Sequence, residues 1–433
     1  MEVASTVLVD IFIMYLAARV AGELFVRLKQ PAVIGELLVG VALGPYALGW
    51  IGVPTAGMIG VFNTEEVARE VLAAVLEVIA ELGVIILLFV VGLETRLSDI
   101  MSVGRRAGVV AIAGVVVPFI LGYGFVAVVL GEPTIEAIFI GTALVATSVG
   151  ITARVLGDLG HIRSDEARII LGAAVIDDIL GMIVLAIVSA LGEGGTVSMG
   201  QIGLIALQAV AFTIFVAVAG RHAARRWSAH LDRLRIRNAP FVVAVLIMLG
   251  LAALAAQIGL AAIIGAFLAG MVFAELSEQY ELEHQALPLY EFLVPLFFVI
   301  TGSHVDWRLF LDGSVLSVVL AVTGLAIVGK VVGCGAAAYG MGWRRTAIVG
   351  VGMAPRGEVG LIVANVGASL SIIPDAMFST VVIMSVLTTL VVPPILTVLY
   401  RGVPTDADAA AAAAAATEGD VDYAVQDGRL PGM

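Results

Sequence analysis

The chain has 433 residues, of which 61% are hydrophobic and 13% charged, with a formal net charge of −12. A soluble domain carries about 45–50% apolar and about 25% charged residues, so this composition indicates an integral membrane protein. It excludes a disulfide framework, because Cys334 is the single cysteine, and the scattered histidines show no metal-ligand spacing. No basic stripe with interleaved aromatic residues indicates nucleic-acid binding.

The apolar stretches predict an all-α polytopic membrane protein, because a spanning helix needs about 20 apolar residues. Thirteen segments qualify: 3–28, 31–49, 70–93, 106–130, 134–158, 166–192, 199–220, 239–257, 259–275, 286–302, 314–340, 344–369 and 376–400. They form a transmembrane domain over 1–402. An alanine run followed by an acidic, low-complexity stretch predicts a disordered cytoplasmic tail over 403–433.

Basic residues fall in alternate connections, which predicts the orientation. One set of connections is rich in arginine, while the opposite set holds only Arg69 and Arg308. Because positive charge is retained on the cytoplasmic side, we expect the N-terminus outside and the C-terminus in the cytoplasm, with the chain in the cell membrane.

Two short stretches recur along the chain. Residues 33–40 are similar to 263–270, and 88–92 are similar to 298–302. Both matches link segments that are seven spans apart. Because seven is odd, the two halves have opposite topology. Inverted repeats of this kind are typical of transporters, whose binding site lies where the repeats meet.

The fifth and twelfth segments predict interrupted helices in matching positions of the two halves. The fifth carries Ala146-Thr147-Ser148 at its centre, where Thr and Ser weaken helix propensity. In the twelfth, Pro355 removes a backbone donor and clashes with the preceding turn, so we expect a break near Ala354. Paired interruptions are a sequence indication of a transport site.

Asp177 and Asp178 lie side by side in the sixth segment. A carboxylate at bilayer depth is costly and marks an ion or proton site by default. Adjacent helical residues point about 100° apart, so one aspartate can take a protein partner while the other faces a cavity. Lys330, in the eleventh segment, needs a carboxylate partner, and either aspartate qualifies. A permanent structural ion pair is the alternative interpretation.

Other buried charges favour structural roles. We expect Arg356 and Glu358 to pair locally or with the fifth and sixth segments. Arg154 and Asp158, four residues apart, predict a local pair. Glu36 and Glu94 have only weak indications of function.

These features together resemble the monovalent cation:proton antiporters, and most closely their electrogenic, two-aspartate branch of sodium/proton antiporters. The resemblance rests on Ala146-Thr147-Ser148, Asp177-Asp178, Lys330 and Pro355-Arg356-Gly357-Glu358, and covers about residues 1–400. It implies thirteen helices, two crossed discontinuous helices, a dimerisation domain and a mobile core at about 70–192 and 286–400. A homodimer without a resident cofactor is also implied.

The resemblance further implies that Asp178, with Asp177, binds Na⁺ or Li⁺ in exchange for a proton. Asp177 would pair with Lys330 in the ion-free state. Thr147 and Ser148 would lie at the crossover beside the site, and Arg356 and Glu358 would be supporting charges. The aspartate at 177, where electroneutral members usually have asparagine, favours net charge movement.

Three alternatives remain at this point. K⁺/H⁺ exchange is open, because Na⁺ and K⁺ both use hard oxygen ligands. A passive cation channel would require rings of carboxylates or carbonyls from several subunits. An intramembrane aspartyl protease would require two carboxylates about 3 Å apart, which adjacent residues on one helix do not provide. We therefore expect a transporter rather than an enzyme.

Overall fold

The computed structural model describes residues 2–192, 199–220, 237–306, 308, 313–357, 360, 363–364, 367 and 373–408, and its regular structure there is helical. Fifteen α-helices have defined bounds within these residues. They are α1 (Glu2–Arg27), α2 (Ala32–Leu43), α3 (Ala56–Phe62), α4 (Glu65–Leu93), α5 (Leu97–Gly124), α6 (Thr134–Ala143), α7 (Val149–Asp158), α8 (Asp165–Gly192), α9 (Met199–Phe215), α10 (Ala239–Gln257), α11 (Ala262–Tyr280), α12 (Leu282–Ser303), α13 (Gly313–Ala337), α14 (Trp343–Gly352) and α15 (Asp375–Tyr400). Short π-helical turns continue α5 over Phe125–Leu130 and α9 over Val216–Gly220.

The predicted all-α membrane architecture is confirmed. Within the described residues, seven helices are long and apolar enough to cross a membrane, and four shorter apolar helices accompany them. Each of the predicted segments overlaps at least one described helix. The fifth segment is divided between α6 and α7, as the sequence predicted, and α3 is a helix that the hydrophobic pattern did not indicate.

Among the boundaries that differ from the sequence prediction, three have a clear physical reason. Helix α2 ends at Leu43 rather than 49, because Pro45 disfavours helical backbone at Gly44, which is extended. Helix α11 extends to Tyr280, and α12 starts two residues later, after Glu281 in a left-handed conformation. Glutamates are good helix formers, so these two helices extend beyond their apolar stretches.

The predicted inverted repeat is visible in four glycine contacts. A Cβ on Gly40 would lie 2.2 Å from the Val299 carbonyl oxygen, and one on Gly302 would lie 2.2 Å from that of Leu37. In the other half, the corresponding contacts join Gly92 of α4 and Gly270 of α11. Helix α2 therefore packs on α12 as α11 packs on α4, through glycines at equivalent positions of the two repeats.

The helices fall into two packed groups. Helices α1, α2, α4, α10, α11 and α12 pack mainly against one another, and we call them the scaffold group. Helices α5, α8, α13, α14 and α15 form a second set, and α6 and α7 complete it. We call this second set the crossing group. Helix α7 also reaches α2 and α4, so it lies where the two groups meet.

The first residues of the predicted tail are folded back onto the protein. Asp406 donates its backbone N–H to the Gly160 carbonyl oxygen at 2.8 Å, and its carboxylate accepts the Arg163 backbone N–H at 2.8 Å. Asp406 therefore contacts the α7–α8 loop, and the disorder of the tail stays a prediction. The remainder of the predicted tail, 409–433, lies outside the described residues.

Candidate functional site

The two interrupted segments pass each other in direct contact. Between α6 and α7, Ser148 donates its backbone N–H to the Pro355 carbonyl oxygen at 2.8 Å. Thr152 Oγ1 donates to the Gly352 carbonyl oxygen at 2.6 Å, and Thr147 Oγ1 to that of Met353 at 3.4 Å. Backbone groups freed at a break inside a membrane need such partners. Hydroxyl groups of the fifth segment thus donate hydrogen bonds to carbonyl oxygens at the break in the twelfth segment.

Arg356 contributes a buried positive charge to this crossing. Its side chain is fully buried, with Nη1 donating to the Ala146 carbonyl oxygen at 2.6 Å and Nη2 donating to that of Ala326 at 3.1 Å. A cation at this place offsets the negative end of the α6 helix dipole. The predicted contact with the fifth segment is present, whereas Glu358 lies outside the described residues.

Asp177 and Lys330 form an ion pair between α8 and α13. Lys330 Nζ lies 3.1 Å from both carboxylate oxygens of Asp177, and the two side chains are 0% and 1% exposed. Gly114 of α5 permits this geometry, because a Cβ there would lie 3.1 Å from Nζ. Of the two aspartates that the sequence offered to Lys330, Asp177 is the one in contact.

Asp178 points into a different environment. It is partly exposed and lines a cavity of about 10 Å³, together with Val149 at the start of α7 and Phe267 of α11. This volume is close to the space that one water requires. The angular separation of adjacent helical residues explains why Asp177 meets Lys330 while its neighbour lines a cavity.

A larger cavity of about 590 Å³ lies near the C-terminal ends of α4 and α11. Its lining includes Glu94, Arg96, Arg163 and Glu283, so charges of both signs surround it. Burial raises the pKa of the Glu94 carboxyl, just beyond α4, to about 7, and the negative charge of Glu283 adds to this shift. The cavity therefore contains a carboxyl able to exchange protons near neutral pH.

The sequence analysis missed the scaffold side of the Asp178 cavity. Ile263, Ile264 and Phe267 of α11 face Asp178 there. The available signal was the repeat, because 263–270 is one of its two matching stretches. It also placed Glu36 apart from Arg154 and Asp158, although Arg154 forms ion pairs with both carboxylates.

Comparisons with known proteins agree with this architecture. Residues 11–401 match the family model described as sodium/hydrogen exchanger, transmembrane. The chain is 38% identical over 422 residues to the high-affinity Na⁺/H⁺ antiporter NhaS3 of Synechocystis, covering 92% of this chain and 91% of that protein. It is 35% identical to the Na⁺/H⁺-K⁺ antiporter GerN of Bacillus cereus, covering 89% and 94% of the two chains.

A solved structure shares the fold. The sodium proton antiporter MjNhaP1 from Methanocaldococcus jannaschii superposes with a TM-score of 0.61 at 18% identity, covering 93% of this chain and 98% of that chain. The family match spans nearly all the described helices and the crossing they form. The chain therefore belongs to the transmembrane sodium/hydrogen exchanger family.

Proposed function

We propose that this protein exchanges Na⁺ or Li⁺ for H⁺ across the membrane by alternating access. The observation that carries the proposal is the position of Asp178, which lines a small cavity beside the crossing while Asp177 is paired with Lys330. A carboxylate at such a place can bind either a proton or a cation. Competition for one group is sufficient to couple the two flows.

The names of similar proteins favour sodium as the substrate. NhaS3 and the Enterococcus hirae relative, which is 31% identical over 387 residues, are both named Na⁺/H⁺ antiporters. The name of GerN also includes K⁺, so K⁺/H⁺ exchange is the second candidate. Both cations take oxygen ligands, which Asp178 and Asp177 would supply as the transported ion binds.

The ion pair supports an electrogenic cycle. In the arrangement described above, Lys330 neutralises Asp177, and only Asp178 faces the cavity. A cation bound by both carboxylates would displace Lys330 from Asp177. If Lys330 then releases its proton along with that of Asp178, two protons cross for one Na⁺, and the exchange moves net charge.

The crossing itself supports the roles predicted for its neighbours. Thr147 and Ser148 hold one break against the other and would keep it beside the site. Arg356 would be a fixed supporting charge, and the role of Glu358 stays a prediction. No resident cofactor is required for this mechanism.

Alternating access would come from motion of the crossing group against the scaffold group. Helices α4 and α12 pack with α2 and α11 of the scaffold group. This packing supports a mobile unit of about 97–192 and 313–400, which is narrower than the predicted mobile core at about 70–192 and 286–400. The arginine-rich end with the large cavity would be cytoplasmic, with the N-terminus outside. A row of exposed apolar residues on α1, including Phe12 and Leu16, would face lipid or a second copy in a homodimer.

Proton flux in proteoliposomes tests this proposal. We expect the luminal pH of wild-type vesicles to change when a Na⁺ or Li⁺ gradient is applied. Asp178→Asn should abolish this pH change. Asp165→Asn, on an exposed aspartate at the start of the same helix, is the matched control and should retain it. Wild-type flux by Asp178→Asn with Na⁺, Li⁺ and K⁺ would refute the site.

The same vesicles separate the remaining alternatives. Repeating the measurement with K⁺ tests the second candidate function, and clamping the membrane potential tests net charge movement. A pH gradient that drives saturable cation flux backwards distinguishes an exchanger from a passive channel.

A further inference from the structure

A second, partly buried charge cluster lies outside the crossing. Arg154 of α7 places Nη2 3.5 Å from Glu36 Oε1 of α2 and Nε 3.1 Å from Asp158 Oδ1 of its own helix. Its guanidinium carbon lies 5.1 Å from the centroid of the Tyr290 ring of α12. Glu36 and Arg154 are both buried. The mechanism proposed above uses none of these groups.

This cluster joins the two helix groups. Arg154 and Asp158 belong to α7, half of an interrupted segment, whereas Glu36 and Tyr290 belong to scaffold helices. Asp158 also lies within hydrogen-bonding range of the backbone N–H groups of Ala32 and Val33, where a carboxylate complements the positive end of the α2 dipole. The α7 residues of the cluster would move with the crossing group, whereas Glu36 and Tyr290 would stay with the scaffold group.

The register of these contacts resists sliding. Asp158 lies at the first turn of α2, and Arg154 faces Glu36 one turn farther along, so the two helices run in opposite directions with matched charges. A slide of one turn, about 5.4 Å, away from the large cavity would carry Asp158 to the level of Glu36. Carboxylate would then face carboxylate, and Arg154 would leave its scaffold partner.

The energetic consequence follows from the burial of the pair. Separating a buried ion pair leaves uncompensated charge in a low-dielectric environment. The second carboxylate oxygen of Glu36 has no hydrogen-bond partner among the described residues, so Arg154 is its principal compensation. Helix pairs that shift by whole turns between two such arrangements behave as two-state elements.

We propose that an ion-pair latch between the two helix groups stabilises the conformation in which the large cavity is open. The latch consists of Glu36, Arg154 and Asp158. The Arg154–Glu36 contact breaks when the crossing group moves, whereas Arg154–Asp158 travels with α7. Tyr290 covers the guanidinium from the scaffold side. This inference rests on the proposed function for its role in transport, but the conformational preference itself can be measured without transport.

Cysteine labelling reads this preference directly. Ser277 lines the large cavity, and only 7% of its surface is exposed. We therefore expect the labelling of Ser277→Cys by a soluble thiol reagent to depend on whether that cavity is open. The native Cys334 is buried and remains in place. In this background, Glu36→Gln should slow labelling by about threefold or more, because directly contacting residues couple by that amount.

Four further variants make the result specific. Glu23→Gln removes an exposed glutamate from its local pair with Arg27 and should leave the labelling rate unchanged. Arg154→Gln should slow labelling as Glu36→Gln does, and the double variant should slow it by less than the product of the two effects. If Glu36→Gln does not fold, Glu36→Asp keeps the charge, withdraws it from Arg154, and should slow labelling by a smaller factor.

Equal labelling rates for the parent, Glu36→Gln and Glu36→Asp would overturn the latch. A multiplicative double variant would also overturn it, because independent sites do not couple. Since no cation gradient is applied, loss of Na⁺/H⁺ exchange in the vesicle assay leaves the labelling result valid. If exchange is intact and the labelling rates are unchanged, the latch is rejected while the proposed function stands.

Discussion

Helices α8 and α15 occupy equivalent places in the two repeats but carry different chemistry. Helix α8 presents Asp177 and Asp178 near its middle, whereas the corresponding part of α15 presents the buried hydroxyls of Ser385, Thr388 and Thr389. Each helix lines a small cavity at the boundary between the two helix groups. The backbone arrangement is repeated, but the ionisable groups are not.

The opposite charges come from the other half of the chain. Lys330 and Arg356, which are buried cations at the crossing among the described residues, lie on segments of the second repeat, and the two aspartates lie on the first. Lys330 contacts Asp177, while Arg356 contacts backbone carbonyls. Of these four described residues, the first repeat therefore supplies the two anions and the second the two cations, and the inverted packing brings them together.

The largest expected effect is on the ion pair that joins the halves. Lys330→Met leaves Asp177 buried without its cation, and we expect the free energy of unfolding to fall by about 3–5 kcal/mol. Adding Asp177→Asn should restore much of the loss, because no uncompensated charge remains. Denaturation of the purified single and double variants in detergent measures both effects. A double variant that loses the sum of the two single effects would show that the pair is not coupled.

The glycine contacts test the symmetric part of the comparison. Gly302→Ala and Gly270→Ala each place a methyl group against a backbone carbonyl of the facing helix, so each should cost about 1–3 kcal/mol of folding stability. Similar losses in both repeats are expected because the contacts are equivalent.

Gly250→Ala provides the control for these variants. Within 4 Å of a Cβ at Gly250 there is no other atom beyond its own helix backbone and chain neighbours, and it lies inside α10. Alanine should therefore stabilise the protein by about 0.5–1 kcal/mol through helix propensity alone. A loss at only one of Gly302 and Gly270 would contradict their equivalence.

Much of the fold was predictable because it follows from local composition. Runs of about 20 apolar residues predicted the spans, and the repeat at 33–40 and 263–270 predicted the opposed packing. Proline alone did not indicate the breaks, because Pro118 lies inside the continuous α5 and Pro393 inside α15. The sequence singled out Pro355 because its segment matched another interruption in the first half.

The partners of buried charges were less predictable. Sequence spacing predicted the pair of Arg154 and Asp158, which are one turn apart, but not the contact of Arg154 with Glu36 of α2. Likewise, it left Lys330 open to either aspartate. These choices depend on the rotation of each helix about its axis and on its neighbours, and an almost uniformly apolar helix surface contains little information about either.

The hydroxyls of α15 test the asymmetric part of the comparison. Ser385 Oγ is buried and has no hydrogen-bond partner among the described residues, so Ser385→Ala should leave folding stability unchanged or raise it by less than about 1 kcal/mol. We also expect cation-driven proton flux to stay at the wild-type rate. A loss of flux comparable with that of Asp178→Asn would mean that both repeats contribute an ion ligand.

The smallest expected effect concerns a contact between the halves at the membrane edge. His161, in the α7–α8 loop, stacks on Tyr400 at the end of α15, with ring centroids 4.1 Å apart. Burial lowers the pKa of His161, although the negative charges of Asp406, Glu166 and Asp408 partly oppose the shift. The neutral imidazole is therefore the form that fits between the loop and α15.

The sign of the pH dependence follows from this shift. Above the ordinary histidine pKa of about 6.5, both folded and unfolded chains hold neutral His161, and its contribution to stability is complete. As the pH falls below that value, the unfolded chain binds the proton first, so the folded state loses stability. His161→Phe keeps the ring on Tyr400 but removes the titration. Melting temperatures between pH 7.5 and 5.5 should therefore fall less in His161→Phe than in the wild type, and parallel curves would remove His161 from the contact's pH response.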